Sequence, residues 1–155
     1  MDAMLEYLSE MRNPLLFSSI LGYIGNCQRL YPVDAGKPEE ALWKIVQEQG
    51  SSGIGLQAFR MYRSLAETPE AIGRLYKIWK EQKAPGECSL SESDYIGLSY
   101  KLAMYLPEQA DEIVSVQQSR ITNPDRKKEY AFISPSVSPR KEVRDSVFNA
   151  LLVAE

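Results

Sequence analysis

Four times along this chain a capping side chain stands directly before proline: Asn13-Pro14, Thr68-Pro69, Asn123-Pro124 and Ser138-Pro139. Each pair reads as a helix start. The cap oxygen accepts an orphan backbone N–H. The proline lacks only a donor that has no partner in a first turn, and its φ is already helical. Lys37-Pro38-Glu39-Glu40 and Leu106-Pro107-Glu108 are weaker versions, with acids near the positive end of a helix. Ser91-Glu92-Ser93-Asp94 has the form of a capping box in which Asp replaces the longer Glu.

Between these signals apolar residues recur at helical spacing. Phe17, Ile20, Leu21, Ile24 and Tyr31 make one stripe, and Leu42, Ile45 and Val46 a second. Phe59, Tyr62, Leu65 and Ala66 follow, then Ile72, Leu75, Tyr76 and Trp79. Tyr95, Leu98, Leu102 and Tyr105 form a fifth stripe, Ala110, Ile113, Val114 and Gln117 a sixth, and Val143, Val147 and Leu151 the last. Strict alternation over a strand's length is absent. Ala131-Phe132-Ile133 is the one short β-like run, and it falls at a helix end before Ser134-Pro135.

The pattern predicts helices over about 2–12, 14–31, 38–49, 53–66, 69–83, 91–106, 107–121, 124–133 and 139–153. That makes eight, or nine if the opening piece 2–12 is counted. From residue 38 the starts fall about 15–22 residues apart, and the short connections make neighbours antiparallel. The expected fold class is therefore all-α, with antiparallel helical hairpins forming a HEAT/armadillo-like α-superhelix, or solenoid. No sequence repeat is visible, so a closed helical bundle is the alternative. Gly22, Gly25, Gly73 and Gly97 fall inside helices, either to allow close backbone approach or as weak spots costing about 1 kcal/mol each.

The chain has 155 residues, which fits one domain over 1–155. It has no histidine, which removes Ser-His-Asp and Cys-His catalysis and imidazole-ligated zinc. Its two cysteines, Cys27 and Cys88, exclude a four-thiolate site within one chain; free thiols are expected, with a Cys27–Cys88 disulfide as the alternative. The net charge of −3 argues against a nucleic-acid partner. No stretch reaches the roughly 20 apolar residues of a membrane span. The Met1-Asp2-Ala3-Met4-Leu5-Glu6 start lacks the basic region of a signal peptide, although a segment of a longer protein could have lost one.

The residues offer little chemistry. Gly50-Ser51-Ser52-Gly53-Ile54-Gly55 precedes a helix but lacks the Lys-Ser/Thr of a phosphate-binding loop, so a helix–helix turn is expected. The adjacent acids Glu39/Glu40 and Asp111/Glu112 diverge by about 100° on a helix and read as helix-start charges. Arg74, Lys77, Lys80 and Lys83, Arg126-Lys127-Lys128, and Arg140-Lys141 with Arg144 read as solvated helix faces. The nine tyrosines fall mostly on apolar stripes, as core rings with wet hydroxyls.

A set of motifs then adds a family resemblance. Leu75-Tyr76-Lys77-Ile78-Trp79-Lys80 is followed by Leu90-Ser91-Glu92-Ser93-Asp94-Tyr95 and by Gln118-Ser119-Arg120-Ile121-Thr122-Asn123-Pro124-Asp125-Arg126. After these come Tyr130-Ala131-Phe132-Ile133-Ser134-Pro135-Ser136-Val137-Ser138 and Val143-Arg144-Asp145-Ser146-Val147-Phe148. In this order they resemble the C-terminal helical domain of bacterial zinc aminopeptidases of the aminopeptidase N type, the gluzincins. The match covers about residues 70–150, and Pro135-Ser136-Val137-Ser138 departs modestly from the family's turn.

The resemblance implies that the chain is part of a larger C-terminal domain. Zinc would belong to the parent enzyme alone. The family's H-E-x-x-H zinc motif and its Gly-x-Met-Glu-Asn motif do not occur, so the chain carries no catalytic and no metal-binding residue. The implied function is non-catalytic: the helical segment shapes and limits peptide access to the parent's active-site chamber. A free-standing α-solenoid scaffold that binds a protein or peptide is the alternative. Arg126 is the one candidate substrate-contacting residue. Asn123, Pro124, Asp125, Arg126, Ser138, Pro139, Arg144 and Asp145 form the structural motif. Implied partners are the parent's catalytic domain and peptide substrates, with self-association through exposed terminal helices. The compartment is left open between cytoplasm and periplasm.

Overall fold

The computed structural model describes residues 2–30 and 34–153. Among them the secondary structure is all-α, and no strand occurs. The helices are α1 (Asp2–Glu10), α2 (Pro14–Leu30), α3 (Gly36–Gln49), α4 (Gly53–Leu65), α5 (Pro69–Glu81), α6 (Glu92–Tyr105), α7 (Ala110–Arg120), α8 (Pro124–Ile133) and α9 (Lys141–Val153). Tyr31, the last member of the first stripe, lies outside the described residues. The chain forms two compact units divided between Leu90 and Ser91.

Three of the four cap–proline pairs start helices as expected. The Asn13 carboxamide oxygen accepts from the Leu15 and Leu16 N–H groups at 3.0 and 3.3 Å. Thr68 caps Ala71, and Asn123 caps Asp125 and Arg126. Ser91 and Asp94 complete the capping box in both directions. Several boundaries differ from expectation: α1 stops at Glu10, and α3 starts at Gly36, before the expected Pro38 and without a side-chain cap. Helix α5 ends at Glu81 because Gln82 turns left-handed, at φ 53°. Pro107–Gln109 form a separate 3-10 turn before α7. Ser138-Pro139 is not a helix start: α9 begins at Lys141, and the Ser138 hydroxyl accepts from the Arg140 N–H.

In the first unit the helix stripes meet in a core that includes Phe17, Ile24, Leu42, Ile45, Phe59, Tyr62 and Leu75. Helix α3 packs along α4, α2 also along α4, and α1 touches both α2 and α3. Helices two apart in the chain are therefore neighbours. The glycine-rich segment is a helix–helix turn, with Ser52 capping Gly55. Gly50 and Gly55 of this segment serve close backbone contact, while a Cβ on Gly53 would meet nothing within 4 Å. A Cβ on Gly50 would lie 1.5 Å from the Gly86 carbonyl oxygen, and one on Gly55 2.1 Å from the Gln49 oxygen. The helical glycines behave otherwise, since a Cβ on Gly22 or Gly73 meets nothing within 4 Å.

The adjacent acids Glu39 and Glu40 take different roles, because one helical residue step turns them apart. Glu39 is buried. One carboxylate oxygen accepts from the Glu67 and Thr68 N–H groups at 2.7 and 3.1 Å, and the other accepts from the Thr68 hydroxyl. The start of α5 is thus fixed by a side chain of α3. Glu40 is exposed and pairs with Arg74 at 2.7 Å. Arg74 also binds Glu70 at 2.8 Å and stacks over Trp43 at 5.2 Å. Its expected place on a solvated face is corrected: it clamps α5 to α3.

Cys27 and Cys88 are both free. In the second unit Tyr130 is buried and stacks on Tyr100, centroids 5.1 Å apart. The Ser99 hydroxyl donates to the Ile96 carbonyl, so the Tyr130 hydroxyl donates to Ser99, 2.9 Å away. This hydroxyl is dry, against the expectation for a core tyrosine. Phe148, Leu151 and Leu152 of α9 are exposed, as are Tyr7, Leu15 and Leu16 of α1 and α2.

Two predictions follow from this packing. Glu39→Ala leaves the Glu67 and Thr68 donors without their acceptor and should destabilise by about 2–5 kcal/mol, read from the urea midpoint. Gly50→Ala should cost at least ~3 kcal/mol because both clashing groups are backbone, whereas Gly73→Ala should stabilise by about 0.5–1 kcal/mol through helix propensity alone.

Candidate functional site

The candidate residues of the sequence motif sit at the start of α8 and around the turn before α9. Asn123 accepts from the Asp125 and Arg126 N–H groups at 3.0 and 3.1 Å, and Pro124 occupies the first turn. Arg126 is half-exposed and reaches the Glu92 carboxylate of α6 at 3.4 Å. Glu92 has stronger partners. Its other oxygen accepts from both the N–H and the hydroxyl of Thr122, each at 2.8 Å. Those two bonds, followed by Arg126, hold the Glu92 carboxyl below the usual carboxylate range.

A cavity of about 170 Å³ opens beside Arg126, lined by Ser93, Ile96, Tyr100, Glu129, Tyr130 and Ile133. That is below the roughly 300 Å³ at which ligand pockets begin. Burial, with the fields of Tyr130 and Glu129, pushes the Tyr100 phenol up to about 12. Neither tyrosine offers a group that titrates near neutrality. The arrangement has the character of a joint between α6 and α8 that leaves an arginine at its surface.

Ser138, Pro139, Arg144 and Asp145 do not converge on Arg126. Arg144 folds back to donate to the Ser138 and Pro139 carbonyl oxygens at 2.6 and 3.0 Å, which closes the turn before α9. Asp145 is exposed on α9. Arg140, read from sequence as part of a solvated face, binds Asp111 of α7 at 3.2 Å.

These contacts expose a rule that motif reading missed. A carboxylate at or near the start of one helix binds the start of the helix two further on. Glu39 reaches Thr68, 29 residues away. Glu92 reaches Thr122, 30 residues away, and Asp111 reaches Arg140, 29 away. An arginine bond 34 residues from its acid accompanies the first two, Arg74 to Glu40 and Arg126 to Glu92. The available signal was the spacing of an early acid to Thr-Pro or Thr-Asn-Pro.

No family model matches the chain, and no curated protein or solved structure matches it. Among the described residues no helix is long and apolar enough to cross a membrane. No three His, Cys, Asp or Glu side chains there form a group able to hold a metal ion.

The Glu92 joint gives a pH test. A carboxyl whose folded pKa is depressed contributes its full stability above the unfolded pKa. It loses that contribution as pH falls through the folded value. Glu92→Gln should therefore lower the melting temperature at neutral pH, and the gap to the parent chain should close as the solution is acidified. A gap that stays constant through the carboxylate range would contradict this assignment.

Proposed function

We propose that this chain is a non-catalytic helical segment of an aminopeptidase N-type zinc metallopeptidase. Its role is to shape and limit peptide access to the chamber where the parent enzyme works. Zinc and the hydrolytic residues belong to the parent. This chain contributes wall and domain contact.

The observation that carries the reading is the recurring acid contact at 29–30 residues. It ties the start of α3 to that of α5, of α6 to that of α8, and of α7 to that of α9. Such links between every second helix support the reading of stacked helical hairpins in a HEAT/armadillo-like α-superhelix, whose curvature would create a concave face. Of the residues that carry the resemblance, Asn123 to Arg126 fall at the α6–α8 joint, and Ser138, Pro139 and Arg144 fall in the turn before α9. Arg126 serves in the α6–α8 joint through Glu92, and Arg144 in the turn before α9. Under this reading Arg126 is structural first. The exposed apolar residues of α9 and of α1–α2 supply faces for contact with the catalytic domain or with a second copy.

The test is hydrolysis of aminoacyl-anilides with zinc present. The 155-residue chain is assayed beside the product of the complete reading frame that contains it. The chain alone should be inactive and the complete product active. Inactivity of both would overturn the reading in favour of a free-standing peptide-binding scaffold. Activity of the chain alone would overturn it as well.

A further inference from the structure

We propose that α2 pairs with α2 of a second copy of this chain, antiparallel, about a two-fold axis beside Tyr23. The proposal does not rest on the aminopeptidase reading.

Helix α2 has two apolar rows, and the fold buries one. Phe17, Leu21 and Ile24 lie in the core of the first unit. Leu16, Tyr23 and Leu30 are 56%, 63% and 74% exposed. These three recur at every seventh residue, so they stay on one side of the helix and drift by only about 20° per step. Ile20 and Cys27 fall between them and are half-buried. Positions 16, 20, 23, 27 and 30 thus have the alternating four-and-three spacing of a coiled-coil seam. From Asn13 to Gln28 there is no charged residue. A helix face that meets water normally carries charges.

The seam runs for about 21 Å, or four turns. What covers it must be a helix with the same spacing over the same length. Among the described residues no other helix leaves large apolar side chains exposed over more than about two turns, so within this chain only α2 matches α2. Charge favours the same occupant. Helix α1 packs against α2 and carries Asp2, Glu6 and Glu10 with no basic residue. An anionic lipid surface calls for Lys or Arg beside the apolar face. An uncharged face meets its own copy without opposing like charges.

The orientation follows from the acids of α1. Parallel pairing would gather both sets at one end. Antiparallel pairing separates them and opposes the two helix dipoles. It also sets Leu16 against Leu30 of the second copy, because each lies seven residues from Tyr23. With Leu15, the exposed side chains of α2 open roughly 500 Å² of surface, toward the upper end of the largest apolar patch on a monomer. Two copies would cover about 1,000 Å², the lower bound of a specific interface. The pairing is therefore weak.

Sedimentation velocity on the full chain, reduced and at about 1 to 500 µM, reads the pairing. The chain should pass from monomer to dimer with a dissociation constant of about 10–100 µM. Tyr23→Glu places like charges at the axis. It should weaken association at least about tenfold and leave the helical circular dichroism unchanged. Phe148→Glu, on the exposed part of α9, should leave the constant unchanged. Oxidative cross-linking reads the direction. Antiparallel pairing sets the two Cys27 side chains about 12 Å apart along the helix, beyond disulfide reach, so the parent chain should form no Cys27–Cys27 dimer. Tyr23→Cys in a Cys27→Ser background should form a covalent dimer. A chain that stays monomeric at the highest concentration, with or without binding to phosphatidylserine vesicles, would overturn the proposal. So would association lost in Phe148→Glu but kept in Tyr23→Glu, or a covalent dimer through the native Cys27.

Discussion

A carboxylate near the start of one helix, bonded to the start of the helix two further on, is the interaction on which this molecule's order depends. A helix start presents N–H groups with no partner inside the helix and a partial positive charge. A side chain from elsewhere in the fold that meets that need both caps the helix and places it. Glu39 does this from a buried position, accepting two N–H bonds and a hydroxyl bond at the start of α5. Hydrogen bonds to a charged group are worth about 1.5–3 kcal/mol each. The joint therefore outweighs anything the exposed Lys44–Glu48 pair contributes on the surface of α3.

The second unit repeats the device with less burial. Glu92 holds Thr122 by backbone and side chain and takes Arg126 as a further partner. Asp111 and Arg140 repeat the spacing as an exposed ion pair, the weakest of the three. The gradation runs from a buried carboxylate to a half-covered one to a surface pair. It matches the exposure of α9, whose outer face carries Phe148, Leu151 and Leu152 open to solvent.

Much of the fold was legible because its signals are local. Asn13, Thr68, Ser91 and Asn123 announce helix starts through their own side chains, and the apolar stripes of α3 to α5 are buried as their spacing requires except at Tyr76, which is partly exposed. Ser138-Pro139 misled because Arg144 takes the carbonyls of that turn and the helix waits until Lys141. The joints were illegible for a different reason. Glu39 and Glu40 are indistinguishable in sequence as first-turn acids, and only the position of α5 decides that one is buried and the other meets Arg74. Arg74 looked like one member of a basic stripe, yet its stem and charge lie over Trp43 and between two acids. The helical glycines were ambiguous until the space around them was visible.

Hydrogen exchange at individual amides tests the central interaction most directly. The Glu67, Thr68 and Thr122 N–H groups have no acceptor within a helix and donate only to carboxylates. They should exchange as slowly as the helical amides near them, because opening them requires a joint to break. Exchange at the rate of an unprotected loop would mean that the carboxylates do not hold these helix starts, and the account of the stacking built on them would fail.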